Sequence, residues 1–405
     1  MFLSSSSFTL VELLVVLAVI AVLATVIVVV INPAELLKQF RDASRISDLA
    51  SINRALNYVL TDCPTCFFGT SSVVYVSIPD SSPTCANLGL PSLPPGWSYA
   101  CSDENNFRKV DGTGWIPVDF TKFSAGSPLP KLPVDPINST TTGEYYVYVT
   151  GGSWALAAQI ESNKYKSKAL NDEGTNPAKI EVGTNLNLIA QAEGLVGYWS
   201  FDEGSGTTAY DKSGNNNHGT LINNPTWQSE ENCIRKSCLL FDSNSYVKVL
   251  ASEYFNIYEK LTISFFVKPL WSPINEGVEV IYSSLFRIHH RGDWDNDIIR
   301  LLYAINEPIN SGDSAWYYWA GVKTNENIYQ GNTYNLTFVM DGKRLASYIN
   351  GSLSRNLTDA FGSNTKKTTN NSDIFLGRLG IFDEIRIYNR ALSDAEIQAI
   401  YNATR

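Results

Sequence analysis

The 405-residue sequence predicts an α+β head carried on a long N-terminal helix, followed by a separate all-β sandwich. Three observations predict it. An apolar run reaching Ile31 is followed by Ile46, Leu49, Ile52, Leu56 and Val59, spaced three and four apart as on one face of a helix. Residues 61–165 hold short β-like runs separated by prolines, the pattern of a helix packed on a small sheet. Residues 194–405 hold many short strands between turns, the pattern of a two-sheet sandwich.

Residues 8–31 are long enough to cross a bilayer's hydrocarbon core as a helix. They contain one acid, Glu12, and an unpaired carboxylate is costly there, so Glu12 demands a partner. The segment does not fit a secretory signal peptide, because no Lys or Arg precedes Lys38 and the run is too long. Lys38 and Arg41 follow the span and on their own favour keeping that side inside. Pro33 is expected to kink or restart the helix. Residues 32–60 read as an amphipathic helix, with Arg41, Asp42, Arg45, Asp48 and Arg54 assigned to faces away from the apolar stripe. In the head, Val73–Val76 and Tyr145–Val149 read as strands. Residues 166–193 are polar and poor in aromatics, and read as a linker or short arm.

A charged content of 18% and an aromatic content of 12% suit β-rich extracellular modules. The net charge of -9 argues against a nucleic-acid partner, which needs a basic stripe. The six cysteines are expected as disulfides Cys63–Cys66, Cys85–Cys101 and Cys233–Cys238, with partners exchangeable within the first two. Cys63-Pro64-Thr65-Cys66 has redox spacing but follows no βαβ pattern. Four thiolates can hold zinc, but the wide second spacing disfavours it.

The string Ser7-Phe8-Thr9-Leu10-Val11-Glu12 ahead of the apolar run resembles the N-terminal processing motif of type IV pilins and type II secretion pseudopilins. The resemblance implies that residues 1–7 are a leader and that a prepilin peptidase cuts between Ser7 and Phe8. The Phe8 amine would then be methylated, and Glu12 would neutralise that amine on a neighbouring subunit. It also implies an N-in orientation and other pilin subunits as partners. The family usually has Gly where Ser7 stands, and this leader carries no basic residue. Gly112–Val118 and Leu132–Pro136 are similar to loops of pseudopilin-type heads, some of which bind calcium after the Asp-Pro element. At that place Asp135 lacks acidic companions and is expected to cap a proline turn.

The C-terminal half resembles the laminin-G-like, concanavalin A-like jelly rolls. The matching strings include Gly197–Gly206, Asp211–Gly219, Leu239–Asp242, Phe265–Pro269, Tyr348–Gly351 and Phe382–Ser393, in the family's order. The resemblance implies a calcium ion held by Asp211 and Asp383, with backbone carbonyls near Asn217 filling further positions. Turn capping is the other role open to both acids. Asp293–Asp297 begins like an EF-hand loop, but Ile298 and Ala304 replace its Gly and Glu, so an exposed loop is expected. Arg291-Gly292-Asp293 is an integrin-type tripeptide that short turns often spell by chance. His218, His289 and His290 are too few for a transition-metal site. The related glucanases carry a Glu-x-Asp-x-x-Glu strand that sets two carboxylates across the scissile bond. That string is absent, so a non-catalytic binding module is expected rather than an enzyme. In Trp316-Tyr317-Tyr318-Trp319 one strand face presents Trp316 and Tyr318. These rings either stack on a sugar or pack beneath a loop.

The expectation is a membrane-inserted, extracytoplasmic filament subunit, minor or at the tip, whose sandwich adheres to a glycan or protein at the cell surface. Its rivals are a pseudopilin with a cargo-binding module and a membrane-tethered carbohydrate-active enzyme.

Overall fold

The computed structural model describes residues 9–255, 259–270, 278–283, 286–293, 296–306, 318–324, 328–360, 365–366 and 372–405. Two helices lead the chain, α1 (Leu10–Ile31) and α2 (Pro33–Asp62). They are separate because Asn32 is left-handed, at φ 43° and ψ 74°, and Pro33 opens the second helix where its missing N–H has no bond to make. The restart expected at Pro33 is observed. α1 is about 33 Å long at 1.5 Å per residue, and its side chains from Leu10 to Ala21 are all exposed. Among the described residues no helix is long and apolar enough to cross a membrane. The side chains of 22–31 lie outside the described set, so the span expected over 8–31 is described only in part.

The head sheet runs in the order β2 (Ser98–Ala100), β1 (Val73–Val76), β3 (Tyr146–Thr150), β4 (Trp154–Gln159), β5 (Lys179–Gly183). β1 and β2 pair in parallel and the other neighbours antiparallel. Leu49, Ile52, Leu56 and Val59 of α2 are fully buried against Tyr146, Tyr148, Trp154, Leu156 and Ile180. Each such side chain contributes about 1.5–3 kcal/mol on leaving water. The Gly112–Val118 and Leu132–Pro136 loops close this core with Trp115, Ile116, Val118 and Leu132.

Three expectations change here. Asp42 and Arg45, assigned away from the stripe, are fully buried. Their spacing continues the stripe backwards from Leu49, and ionic partners from the head make that burial possible. Residues 166–193 are no linker. They contain most of α3 (Asn163–Leu170), all of β5 and α4 (Asn187–Ala192), because Ile180 and Val182 complete the head core and α4 packs on the sheet's other side. The sandwich is also not purely β: it ends in α5 (Asp394–Thr404).

The sandwich begins with β6 (Leu195–Trp199). One sheet runs Ser352–Leu357, Arg344–Ile349, Tyr334–Asp341, Lys260–Pro269, Gly380–Tyr388, Ser237–Phe241, Thr226–Ser229, with β6 also paired to Gly380–Tyr388. The facing sheet runs from Tyr318–Lys323 at one edge through Asn296–Asn306, Phe286–Asp293, Val278–Tyr282, Ile374–Leu376, Tyr246–Val249 and Gly219–Ile222 to Thr208–Ala209. Trp199, Phe241, Ile263, Phe265, Phe382 and Ile385 fill the space between the sheets. The alternating runs read from the sequence supply these inward side chains.

α4 joins the two domains. Leu188, Ile189 and Ala192 pack on Val74, Val149 and Ala157 of the head, while Ala190 packs on Leu195, Tyr198 and Tyr388 of the sandwich.

Candidate functional site

At the start of α1, Thr9 Oγ1 accepts the Glu12 N–H at 3.3 Å. Glu12 Oε2 accepts the Thr9 N–H and hydroxyl at 2.9 and 2.8 Å. This reciprocal pair is a capping box, and its Thr-x-x-Glu spelling was readable in the sequence. Glu12 thus stands at the tip of an apolar helix whose side chains from Leu10 to Ala21 are exposed. Ser7 and Phe8 lie outside the described residues.

Asp211 lies beneath the loop that follows β6. Its Oδ1 accepts the N–H groups of Tyr198 and Ser213, and its Oδ2 accepts the Ser213 hydroxyl and the Asn217 N–H, at 2.8–2.9 Å. Asn217 continues the clip: its carbonyl accepts Trp199 Nε1–H at 3.0 Å and its amide donates to the Val196 carbonyl at 2.8 Å. Asp383 is on strand Gly380–Tyr388, and its Oδ2 accepts the Ile234 and Arg235 N–H groups at 2.9 and 3.2 Å. Those donors belong to the loop closed by Cys233–Cys238, which gives the third disulfide a task the sequence did not reveal. The other two bridges, Cys63–Cys66 and Cys85–Cys101, form in the expected pairing.

Of the expected calcium ligands, Asp211 and the Asn217 carbonyl are occupied by protein donors, whereas Asp383 Oδ1 is buried with no hydrogen-bond partner among the described residues. A hard cation wants six or more available oxygens, and each Asp211 oxygen already accepts two protein donors. Among the described residues no three His, Cys, Asp or Glu side chains gather as a metal cage. Asp211 and Asn217 instead pin a loop, the turn-capping role left open above.

Asp383 adjoins a buried polar cluster. Glu384 Oε2 accepts the Tyr198 hydroxyl at 2.9 Å and Arg386 Nη2–H at 2.5 Å, and the Arg386 guanidinium stacks 4.1 Å from the Tyr198 ring centroid. Burial first, and then the Glu384 charge, pushes the Asp383 carboxyl well above the usual carboxylate range.

Asp135 also takes a structural role. Arg45 Nε and Nη2 donate to its two oxygens at 2.6 and 3.0 Å, while Arg45 Nη1 donates to Asp42 and Glu161. Asp135 Oδ1 accepts the Ile137 N–H at 2.8 Å as well, so the expected turn cap is present beside an unexpected ion pair. Of Asp293–Asp297, expected as an exposed loop, Asp293 pairs with Asn296 and Gly292 with Asp297 in the ladder, while Trp294 and Asp295 lie outside the described residues. Of the aromatic run, Tyr318 opens an edge strand opposite Ile305, and Trp316 lies outside the described residues.

The domain junction holds a second ionic group. Arg390 Nη1 and Nη2 donate to Glu396 at 3.1 and 2.7 Å, and Arg390 Nε donates to the Glu193 carbonyl. The Glu193 carboxylate takes Lys179 Nζ at 2.7 Å and the Asn176 amide at 2.9 and 3.0 Å. Burial alone would push Glu396 up, but the Arg390 charge and hydrogen bonds, with the Ser393 donors, outweigh it and hold the carboxyl at about 2.

Residues 4–28 match the prokaryotic N-terminal methylation motif, and residues 241–398 match the concanavalin A-like lectin/glucanases superfamily. No curated protein matches this chain. Among solved structures, domain 4 of AbnA, a GH43 extracellular arabinanase from Geobacillus stearothermophilus, in complex with arabinotriose, is similar at 18% identity and TM-score 0.36. It covers 51% of this chain and 97% of its own. The binding domain of Paraclostridial Mosquitocidal Protein 1 is similar at 18% identity and TM-score 0.40, over 52% of each chain. The binding domain of Botulinum Neurotoxin DC in complex with SialylT is similar at 15% identity and TM-score 0.41, over 53% of this chain and 52% of its own. This chain spans about half the length of those two toxin domains.

Proposed function

We propose that this chain, with a prokaryotic N-terminal methylation motif ahead of a concanavalin A-like domain, is a pilin-like filament subunit, minor or at the tip. The observation that carries the reading is α1: an apolar helix exposed from Leu10 to Ala21 within its own chain. Such a surface needs a bilayer before assembly and the helices of other copies after it. Prepilin peptidase would cut before Phe8, and Glu12 would leave its Thr9 cap to pair with the Phe8 amine of a neighbour. A misregistered subunit would leave that charge unpaired among apolar side chains. The sandwich is read as a non-catalytic module that adheres to a glycan or protein, with Trp316 and Tyr318 offered for stacking.

Glu12→Ala tests assembly. The variant is expected to fold with unchanged head and sandwich and to be lost from filaments; normal incorporation would overturn the reading. A glycan array probed with the full chain in detergent tests the sandwich. Specific binding weakened by Trp316→Ala supports adhesion, and a flat signal leaves the sandwich a structural spacer.

A further inference from the structure

In a chain of net charge -9, α3 carries Lys164, Lys166 and Lys168 within eight residues. It sits at the foot of α2, where the Asn163 N–H donates to Glu35 Oε1 at 2.7 Å, and Glu35 is in the first turn of that helix. Lys38 is about 10 Å along the helix from the end of α1. Lys38 and Lys166 line an open groove of about 490 Å³ between α2 and α5, whose walls include the amides of Asn163, Gln398 and Asn402. Lys164 and Lys168, one turn apart, are exposed, and among the described residues neither they nor Lys38 form an ion pair. Of the nearby acids, Glu161, which also lines the groove, pairs with Arg41 and Arg45, Asp42 pairs with Arg45, and Glu35 accepts the Asn163 N–H.

We propose that this basic corner docks on the anionic phospholipid headgroups of the bilayer that holds α1. The proposal rests on the membrane reading of α1 given above. Position and charge select the occupant. The corner lies about one Debye length from the end of the apolar helix, where juxtamembrane lysines feel an anionic surface. The rest of the molecule, with its excess of acids, is repelled by that surface. Lysines and amide N–H groups are also the donors a phosphodiester accepts. Docking therefore fixes which side of the head faces the membrane while the subunit awaits assembly.

The test is hydrogen exchange of residues 163–170 in full-length protein reconstituted into phosphatidylcholine vesicles, with or without 30% phosphatidylglycerol (about 30%, enough to charge the surface). We expect slower exchange in the anionic vesicles. Raised salt should abolish it, Lys164→Glu/Lys168→Glu should weaken it about tenfold or more, and Lys164→Arg/Lys168→Arg should retain it. Equal exchange in both vesicle types would overturn the proposal. So would equal protection by inorganic phosphate added to neutral vesicles, which would mark a soluble-phosphate site. Failure of the protein to float with either vesicle would instead overturn the membrane reading, and the proposal with it.

Discussion

Arg45 shows at the scale of one residue how a charge can sit inside a core. Its guanidinium is fully buried and reaches Asp42, Asp135 and Glu161, tying α2 to a head loop and to the end of β4. Removing it would strand buried carboxylates, so Arg45→Ala is expected to cost about 3–5 kcal/mol, read as a fall in the urea midpoint. Lysine should rescue little, because one ammonium cannot reproduce a fork that serves two carboxylate oxygens. Asp211 is a parallel case. Asp211→Ala unpins the 211–218 loop from β6 and should cost about 2–4 kcal/mol. The same loss is expected in calcium and in chelator; a defect seen only with calcium present would restore the metal role. The Arg45 role was not legible beforehand, and the Asp211 role was one of two left open. Arg45 and Asp42 read as ordinary helix charges, although their four- and seven-residue spacing to Leu49 placed them on the buried face. Asp211 had the residue type of a calcium ligand, but its donors come from backbone N–H groups that no sequence pattern displays.

Elements were legible wherever local chemistry set them. The apolar run, the Pro33 restart, the α2 stripe and the alternating strands all follow from periodicity and backbone restriction. α5 was missed although Ser393-x-x-Glu396 spells its N-terminal box, with Ile397, Ile400 and Tyr401 spaced to bury one side. β5 and α4 were missed for another reason. Their apolar residues, Ile180 and Val182 in β5 and Leu188, Ile189, Ala190 and Ala192 in α4, form short runs within a polar stretch, and they are ordered by what they dock against. Gly183 marks that docking, since a Cβ there would come within 2.3 Å of the Trp154 carbonyl oxygen. The prediction belonging to α4 is Ile189→Ala, which deletes a side chain buried between helix and head sheet. It should cost about 2–5 kcal/mol and lower the melting temperature of the whole chain. A loss confined to the sandwich would mean that α4 does not serve both domains.

The junction makes the whole molecule more than two modules on a string. Arg390, Glu396, Glu193 and Lys179 link the sandwich to β5 and to the segment that carries α4. Lys166 Nζ also donates to the Asn402 carbonyl at 2.9 Å across the same seam. Glu396 is held at about 2, below its ordinary 4.5. A depressed acid contributes stability above its unfolded value, and that contribution disappears as pH falls through its folded value. The junction should therefore weaken between pH 4.5 and about 2, by on the order of 3 kcal/mol. Glu396→Gln should flatten this part of the urea-midpoint profile; an unchanged profile would show that other carboxylates govern it. Asp172 works oppositely. Burial raises it to about 6, so its contribution is complete below 3.8 and is lost as pH rises through about 6.

By itself the sequence determined the order of the parts, the break between the leading helices, the Cys233–Cys238 pair and the two recognisable segments at residues 4–28 and 241–398. Each depends on local spacing or on strings that keep their order. Only the tertiary structure decided that Asp135 serves Arg45, that Asp211 serves a loop, and that 166–193 is a joint rather than a tether. Those outcomes depend on hydrogen-bond donors and apolar surfaces contributed by distant parts of the chain, where proximity comes from folding and not from spacing.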